Sequence, residues 1–103
     1  MDIFWKGEKI GKLKGAVPDM WYLEGKWISD NSVLSMEFEE LAKALNWSDV
    51  NSDPTCITRV EIVNELKQGE RTHAVVYGLT DNKLNVRRVY NQEGKDWVLK
   101  NIN

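Results

Sequence analysis

Residues 20–28, with the sequence Met-Trp-Tyr-Leu-Glu-Gly-Lys-Trp-Ile, constrain the fold more than any other stretch of this 103-residue chain. Read at the two-residue period of a strand, one face of the stretch holds Trp21, Leu23, Gly25 and Trp27. We expect this apolar face to form part of a core and the mixed opposite face to meet water. Because Gly25 has no side chain, we also expect another group to pack closely against it. The stretch therefore predicts a central strand.

Two segments ahead of this strand predict a hairpin. Residues 2–6 and 10–13 have the apolar spacing of short strands, and Gly7 between them suits a tight turn. Residues 15–19 predict a break in the chain, because Pro18 lacks a backbone N–H and restricts the residue before it. The first third of the chain is thus predicted to be a three-stranded meander.

The next segment, residues 32–45, predicts an amphipathic helix. The run Ser29-Asp30-Asn31-Ser32 consists of residue types that cap helix N-termini. One helical stripe then contains the apolar residues Leu34, Phe38, Leu41, Ala42 and Leu45. Carboxylates in the early turns would suit the positive end of the helix macrodipole. Asn46 is the predicted end of the helix, and Trp47 would cover that end.

The remainder of the chain predicts three more strands. Residues 56–65, 72–79 and 84–90 alternate in polarity, with turns at 67–70 and 81–83. The tail, 95–102, could be an edge strand or a short helix, and we favour a helix because Trp97, Val98 and Ile102 would then share a side. The order β-β-β-α-β-β-β, with this C-terminal helix, predicts an α+β fold. We expect an antiparallel or mixed six-stranded sheet with one helix packed on one face.

Length and composition predict one domain spanning residues 1–103 in the cytoplasm. Cys56 is the single cysteine, so no internal disulfide can form and nothing indicates an oxidising compartment. No apolar run approaches the ~20 residues that span a bilayer. The N-terminus also lacks the basic and apolar regions of a signal peptide.

The residues that carry chemistry in enzymes are sparse in this chain. His73 and Cys56 are too few for a zinc site, and the carboxylates of loop 49–53 lack the glycine and glutamate of a calcium loop. His73 is also the only candidate base, in the middle of a predicted strand, where we expect it to be hydrogen-bonded to a neighbour. No glycine-rich phosphate or dinucleotide motif is present. The sequence therefore predicts no enzyme activity, metal or cofactor.

A basic surface for nucleic acid is an alternative that we weigh and set aside. Arg59, Arg71, Arg87 and Arg88 lie near Tyr90 on neighbouring predicted strands. Acidic residues alternate with them, however, and the net charge of −2 lacks the basic excess of a nucleic-acid footprint. Cross-strand ion pairs account better for these arginines.

The charge distribution favours a protein partner instead. Residues 30–53 contain six acidic residues and one lysine, a net charge of −5, between two mildly basic segments. The predicted contact residues on the helix and its following loop are Glu37, Glu40, Trp47, Asp49 and Asp53. Carboxylates around an aromatic residue can attract and anchor a basic protein. A solvated helix face, with Trp47 covering the core, is the simpler alternative.

Two other functions remain open at this point. A groove between helix and sheet near Tyr22, His73 and Tyr77 would make the chain a small-ligand module or a minor enzyme. A homodimer could pair an edge strand or exposed Trp rings. We expect no membrane partner.

The first third of the chain resembles small bacterial proteins of uncharacterised function. The matching positions, within residues 3–28, are Trp5-Lys6-Gly7, Ile10-Gly11, Pro18-Asp19-Met20-Trp21 and Gly25-Lys26-Trp27. It carries no known catalytic residues. In general build, an acidic α+β chain of this size is also similar to immunity proteins of bacterial toxin systems. That likeness implies a protein that neutralises a toxin domain by binding it, through acidic residues set against a basic surface.

Overall fold

The computed structural model describes residues 1–45, 58–63, 71–89 and 92–101. Within these ranges the chain forms strands and helices in the order β-β-β-α-β-β-β-α. The strands are β1 (Asp2–Trp5), β2 (Glu8–Asp19), β3 (Tyr22–Ser29), β4 (Arg59–Val63), β5 (Arg71–Thr80) and β6 (Lys83–Val89). The helices are α1 (Val33–Ala44) and α2 (Gln92–Asn101), so the tail is helical, as predicted.

The six strands form a closed antiparallel barrel in the order β1-β2-β3-β6-β5-β4. Pairing of β1 with β4, which places Ile3 opposite Ile62, closes the ring. The prediction of six strands in an antiparallel arrangement is confirmed, but the prediction of a sheet covered on one face by the helix was wrong, because the strands close into a barrel. Alternating polarity shows which side chains share a face of a strand, but it does not show which distant strands will pair.

Inward-facing side chains from every strand fill the barrel, as expected for a barrel of this small size. They are Ile3, Trp5, Ile10, Leu13, Leu23, Trp27, Val60, Ile62, Ala74, Val76, Leu79, Leu84 and Val86. In β5 six consecutive residues, 74–79, are buried, because the outward-facing side chains there are covered as well. The core is thus the barrel interior.

Strand β3 confirms most of the prediction for the Trp-rich stretch. Leu23, Gly25 and Trp27 face the interior, and the Leu13 side chain fills the space over Gly25. A Cβ at Gly25 would come within 2.7 Å of Cγ of Leu13, so close packing there depends on glycine. The prediction for Trp21 was wrong, because Met20 and Trp21 form the β2–β3 turn and the Trp21 ring is half-exposed.

Strand β2 is longer than predicted. No break occurs at residues 15–19, and Pro18 pairs with Leu23. A β-bulge between Lys14 and Val17 absorbs one extra residue, and Gly15 has the positive φ of +62° that such a bulge accommodates. The sequence signals of a turn here mark an irregularity within one strand.

Helix α1 begins with a side-chain cap. The hydroxyl of Ser32 accepts a hydrogen bond from the backbone N–H of Ser35 at 3.1 Å, as the cap-residue pattern predicts. The first turn contains no acidic residue, and the earliest glutamate of the helix, Glu37, follows that turn. The predicted helix end at Asn46 and the cover by Trp47 lie outside the described residues.

Helix α1 lies across one end of the barrel. It contacts β2 and β5, which are on opposite sides of the ring, and the buried side chains Phe38 and Ala42 face the interior. The Phe38 ring lies 5.5 Å from the Trp5 ring and 5.3 Å from the Trp27 ring, measured between centroids. The helix therefore closes the barrel end with an aromatic cluster.

We expect Phe38→Ala to lower the free energy of unfolding by about 3–5 kcal/mol, because it removes a fully buried ring and leaves a cavity. Met36→Ala, on the exposed side of the same helix, is the control and should change it by less than about 0.5 kcal/mol. Urea denaturation measures both variants. Equal effects would contradict the placement of Phe38 in the barrel end.

The capping residue Ser32 also affects the pKa of one carboxyl group, that of Asp30. Hydrogen bonds from the hydroxyl and the backbone N–H of Ser32 lower the pKa of Asp30. A lowered pKa stabilises the folded state above the ordinary pKa of an aspartate, and this stabilisation disappears as the pH falls through the lower folded-state value.

We expect Ser32→Ala to lower the free energy of unfolding by about 1 kcal/mol through loss of the cap, and to raise the pKa of Asp30. Ser32→Gly should raise the pKa in the same direction but cost only a few tenths of a kcal/mol. NMR titration of the Asp30 carboxyl and urea denaturation check the two effects. An unchanged pKa in both variants would contradict the role of Ser32.

Candidate functional site

The exposed side of α1 forms the candidate site. Ser35, Phe38 and Ala42 face the barrel, so residues on the opposite side of the helix face outward. We call the outward side of α1 the acidic helix surface. It consists of Val33, Met36, Glu37, Glu40 and Leu41. The Val33 side chain is 74% exposed and that of Met36 is 54% exposed, so apolar groups lie beside the two carboxylates.

Glu39, on the same helix, lies outside this surface. Its carboxylate accepts a hydrogen bond of 2.7 Å from the indole N–H of Trp27, and its side chain is half-buried. A buried indole N–H generally needs an acceptor, which was the one available signal for this contact. Glu39 thus connects the helix to the barrel.

The structure places two of the five predicted contact residues. Glu37 and Glu40 are exposed and share the outward side of α1. Trp47, Asp49 and Asp53 lie outside the described residues, as does Cys56.

Glu61 on β4 forms ion pairs with the arginines of β4 and β5, and the pair with Arg71 crosses between the strands, as predicted, whereas the pair with Arg59 lies within β4. Glu61 accepts a hydrogen bond of 2.8 Å from Arg71 and lies 3.7 Å from Arg59. The Arg71 guanidinium also lies over the Phe4 ring, 4.8 Å from its centroid. On β6, Arg88 donates a hydrogen bond to the carbonyl of Met20 in the β2–β3 turn. These contacts engage three of the four arginines within the barrel wall.

His73 lies in the middle of β5, opposite Glu61 on β4 and Val89 on β6. Its Nδ1 is 3.3 Å from the guanidinium of Arg59, which can only donate, so Nδ1 accepts this hydrogen bond. The expectation of a hydrogen-bonded histidine within a sheet agrees with this geometry. The Nδ1 atom of His73 is therefore occupied by Arg59.

The two tyrosines of the alternative groove pack against each other. The rings of Tyr22 and Tyr77 meet edge to face at 5.6 Å, and Tyr77 is buried beside Val75. A groove of about 670 Å³ lies elsewhere, on the outer face of β3 between the β2 bulge and the β5–β6 turn. Its lining residues are Lys14, Gly15, Val17, Asp19, Glu24, Gly25, Lys26, Asp81, Asn82 and Lys83.

Barrel closure bears on the homodimer alternative. Each of the six described strands pairs on both sides, so none of them offers a free edge to a second chain. Trp21 and Trp97 remain about half-exposed.

The described residues contain no group of three His, Cys, Asp or Glu side chains that could hold a metal ion. Neither of the two helices described is long and apolar enough to cross a membrane. Comparison of the chain with protein-family models, with curated proteins and with solved structures gave no match.

The contact between Glu39 and Trp27 generates a direct test of this geometry. We expect Glu39→Ala to lower the free energy of unfolding by about 1–3 kcal/mol, because the indole N–H loses its charged acceptor. Glu40→Ala, one position along the helix and exposed, should change it by less than about 0.5 kcal/mol. Urea denaturation compares the two variants, and a larger loss for Glu40→Ala would reverse the assignment of the two glutamates.

Proposed function

We propose that this chain is a non-catalytic protein-binding protein that docks a basic protein through the acidic helix surface. The observation that supports the proposal is the mixed chemistry of that surface, where the exposed apolar side chains of Val33 and Met36 lie beside the carboxylates of Glu37 and Glu40. Charge of one sign accelerates the encounter with a partner of opposite charge. Apolar side chains then supply area that leaves water on docking.

The carboxylates of this surface are available to a partner. Neither Glu37 nor Glu40 forms an ion pair with another described residue. By contrast, Glu39 on the same helix accepts a hydrogen bond from Trp27. Glu61 on β4 accepts one from Arg71. These two carboxylates can therefore meet cationic groups without first losing an ion pair to a described residue.

The helix that carries the surface is held in place before any partner arrives. Phe38 packs between two indoles, Glu39 bonds to Trp27, and Ser32 caps the first turn. A preorganised surface loses less conformational entropy on binding than a mobile one. This supports α1 as the docking element.

We include residues 46–54 in the proposed contact, because they contain Trp47, Asp49 and Asp53 of the acidic segment. We propose that the partner is the basic domain of a bacterial toxin and that the chain acts as its immunity protein. This narrower proposal rests on the net charge of −5 over residues 30–53 together with the similarity in general build.

We expect the double variant Glu37→Lys, Glu40→Lys to lose capture of the native partner, with affinity reduced on the order of tenfold or more by charge reversal. The matched control is Glu8→Lys, Glu93→Lys, which makes the same change in net charge at exposed positions on β2 and α2. Both variants are immobilised and exposed to lysate of the native host, and captured proteins are identified by mass spectrometry.

The partner must also have the predicted chemistry. It should be basic, and its capture should weaken as the salt concentration rises, because exposed charges are screened. Recovery of the same protein by both variants, or capture of an acidic protein, would contradict the proposal. Inhibition of a purified toxin domain by the wild-type chain would test the narrower immunity assignment.

A further inference from the structure

Three lysines form a row across the outer face of the barrel. Lys14 on β2 lies opposite Lys26 on β3, and Lys26 lies opposite Lys83 on β6. All three are exposed. They face outward because their chain neighbours, Leu13, Trp27 and Leu84, face the interior. We call Lys14, Lys26 and Lys83 the lysine row.

The lysine row is part of the groove on β3. Residues 24–26 of β3 form its floor, the bulge at Lys14–Val17 forms one wall, and the turn at Asp81–Lys83 forms the other. The volume of about 670 Å³ is within the range of small-molecule sites. Nothing occupies the space where a Cβ would stand at Gly15, so the bulge leaves the groove open on that side.

Like charges directly opposite each other on neighbouring strands destabilise a sheet. In the lysine row two such pairings occur side by side, Lys14 with Lys26 and Lys26 with Lys83. None of the three ammonium groups forms an ion pair with another described residue. Other cations of the barrel do form ion pairs, as Lys9 does with Asp2 and Arg71 with Glu61. A bound anion would supply the missing counter-charge.

The groove also has an acidic end. Glu24 lies two residues from Lys26 along β3, and Asp19 pairs with Tyr22, two residues further on. At a rise of about 3.4 Å per residue, these carboxylates lie roughly 7 and 14 Å along the strand from the lysine row. The groove thus presents the lysine row at one end and two carboxylates toward the other, with Asp81 in the turn beside Lys83 and the exposed apolar side chain of Val17 alongside.

We propose that the groove binds a phosphate ester that also carries an amine. The lysine row holds the phosphate by charge-assisted hydrogen bonds, and Glu24, with Asp19 beyond it, accepts hydrogen bonds from the ammonium group. The two ends must act on one molecule, because either charge alone would be opposed by the carboxylates or by the lysines of the groove. This site is separate from the acidic helix surface and does not depend on its function.

The probes are phosphoethanolamine, which carries both groups, and inorganic phosphate and ethanolamine, which carry one each. NMR titration of the ¹⁵N-labelled protein in low-salt buffer follows the backbone signals of the groove. We expect phosphoethanolamine to saturate these signals with a dissociation constant on the order of 1 mM, as suits so small a ligand. Each single-group probe should bind at least fivefold more weakly.

Variants separate the two ends of the site. Lys26→Gln should weaken phosphoethanolamine about tenfold, and Lys83→Gln should act in the same direction. Glu24→Gln should reduce its affinity to that of inorganic phosphate. Lys43→Gln, at an exposed lysine on α1, is the matched control and should leave the affinity unchanged.

Equal affinity for all three probes, or no saturable shift in the groove, would overturn the proposal. An equal effect of Lys26→Gln and Lys43→Gln would also overturn it. Vesicles of phosphatidylcholine with and without phosphatidylethanolamine then distinguish the source of the ligand. Selective co-sedimentation with phosphatidylethanolamine indicates a lipid headgroup, and its absence indicates a free metabolite.

Discussion

The insertion of the Phe38 ring between Trp5 and Trp27 is the contact on which the rest of the structure depends. A closed barrel leaves apolar groups at its open ends, and here one ring from α1 covers such an end. Each indole also directs its N–H to a specific acceptor, Thr58 for Trp5 and Glu39 for Trp27. These directional bonds orient the rings against which Phe38 packs. The position of the helix, and hence of its outward side, follows from this cluster.

Local periodicity predicted the elements of the fold and most of their faces, because period and polarity are properties of short stretches. Leu23 and Trp27 on β3, and Phe38 on α1, were assigned to the core from spacing alone. Closure of the barrel was not predictable in this way, since the pairing of Ile3 with Ile62 joins strands far apart in sequence. The bulge in β2 was likewise mistaken for a break, because Pro18 was taken to end the strand, whereas it pairs with Leu23 and the irregularity lies between Lys14 and Val17.

In the candidate sites, too, local spacing predicted some features, whereas others depend on how distant segments pack. The outward positions of Glu37 and Glu40 follow from helical spacing and were predicted, whereas the bond from Trp27 to Glu39 needed the packing of helix on barrel. The lysine row was not predicted at all. Its members come from three strands and become neighbours only through the register of two separate strand pairs. A sequence shows three isolated lysines, and only strand pairing shows a line of positive charge.

Within the described residues the order of the elements repeats once, since three strands and a helix are followed by three strands and a helix. In this part of the chain the two sets of strands pair through β3 with β6 and β1 with β4. The first set alone therefore leaves the outer edges of β1 and β3 without their partners β4 and β6. Because the entropy of loop closure must be overcome before strands so distant in sequence can pair, we expect closure of the ring to be the slow step of folding.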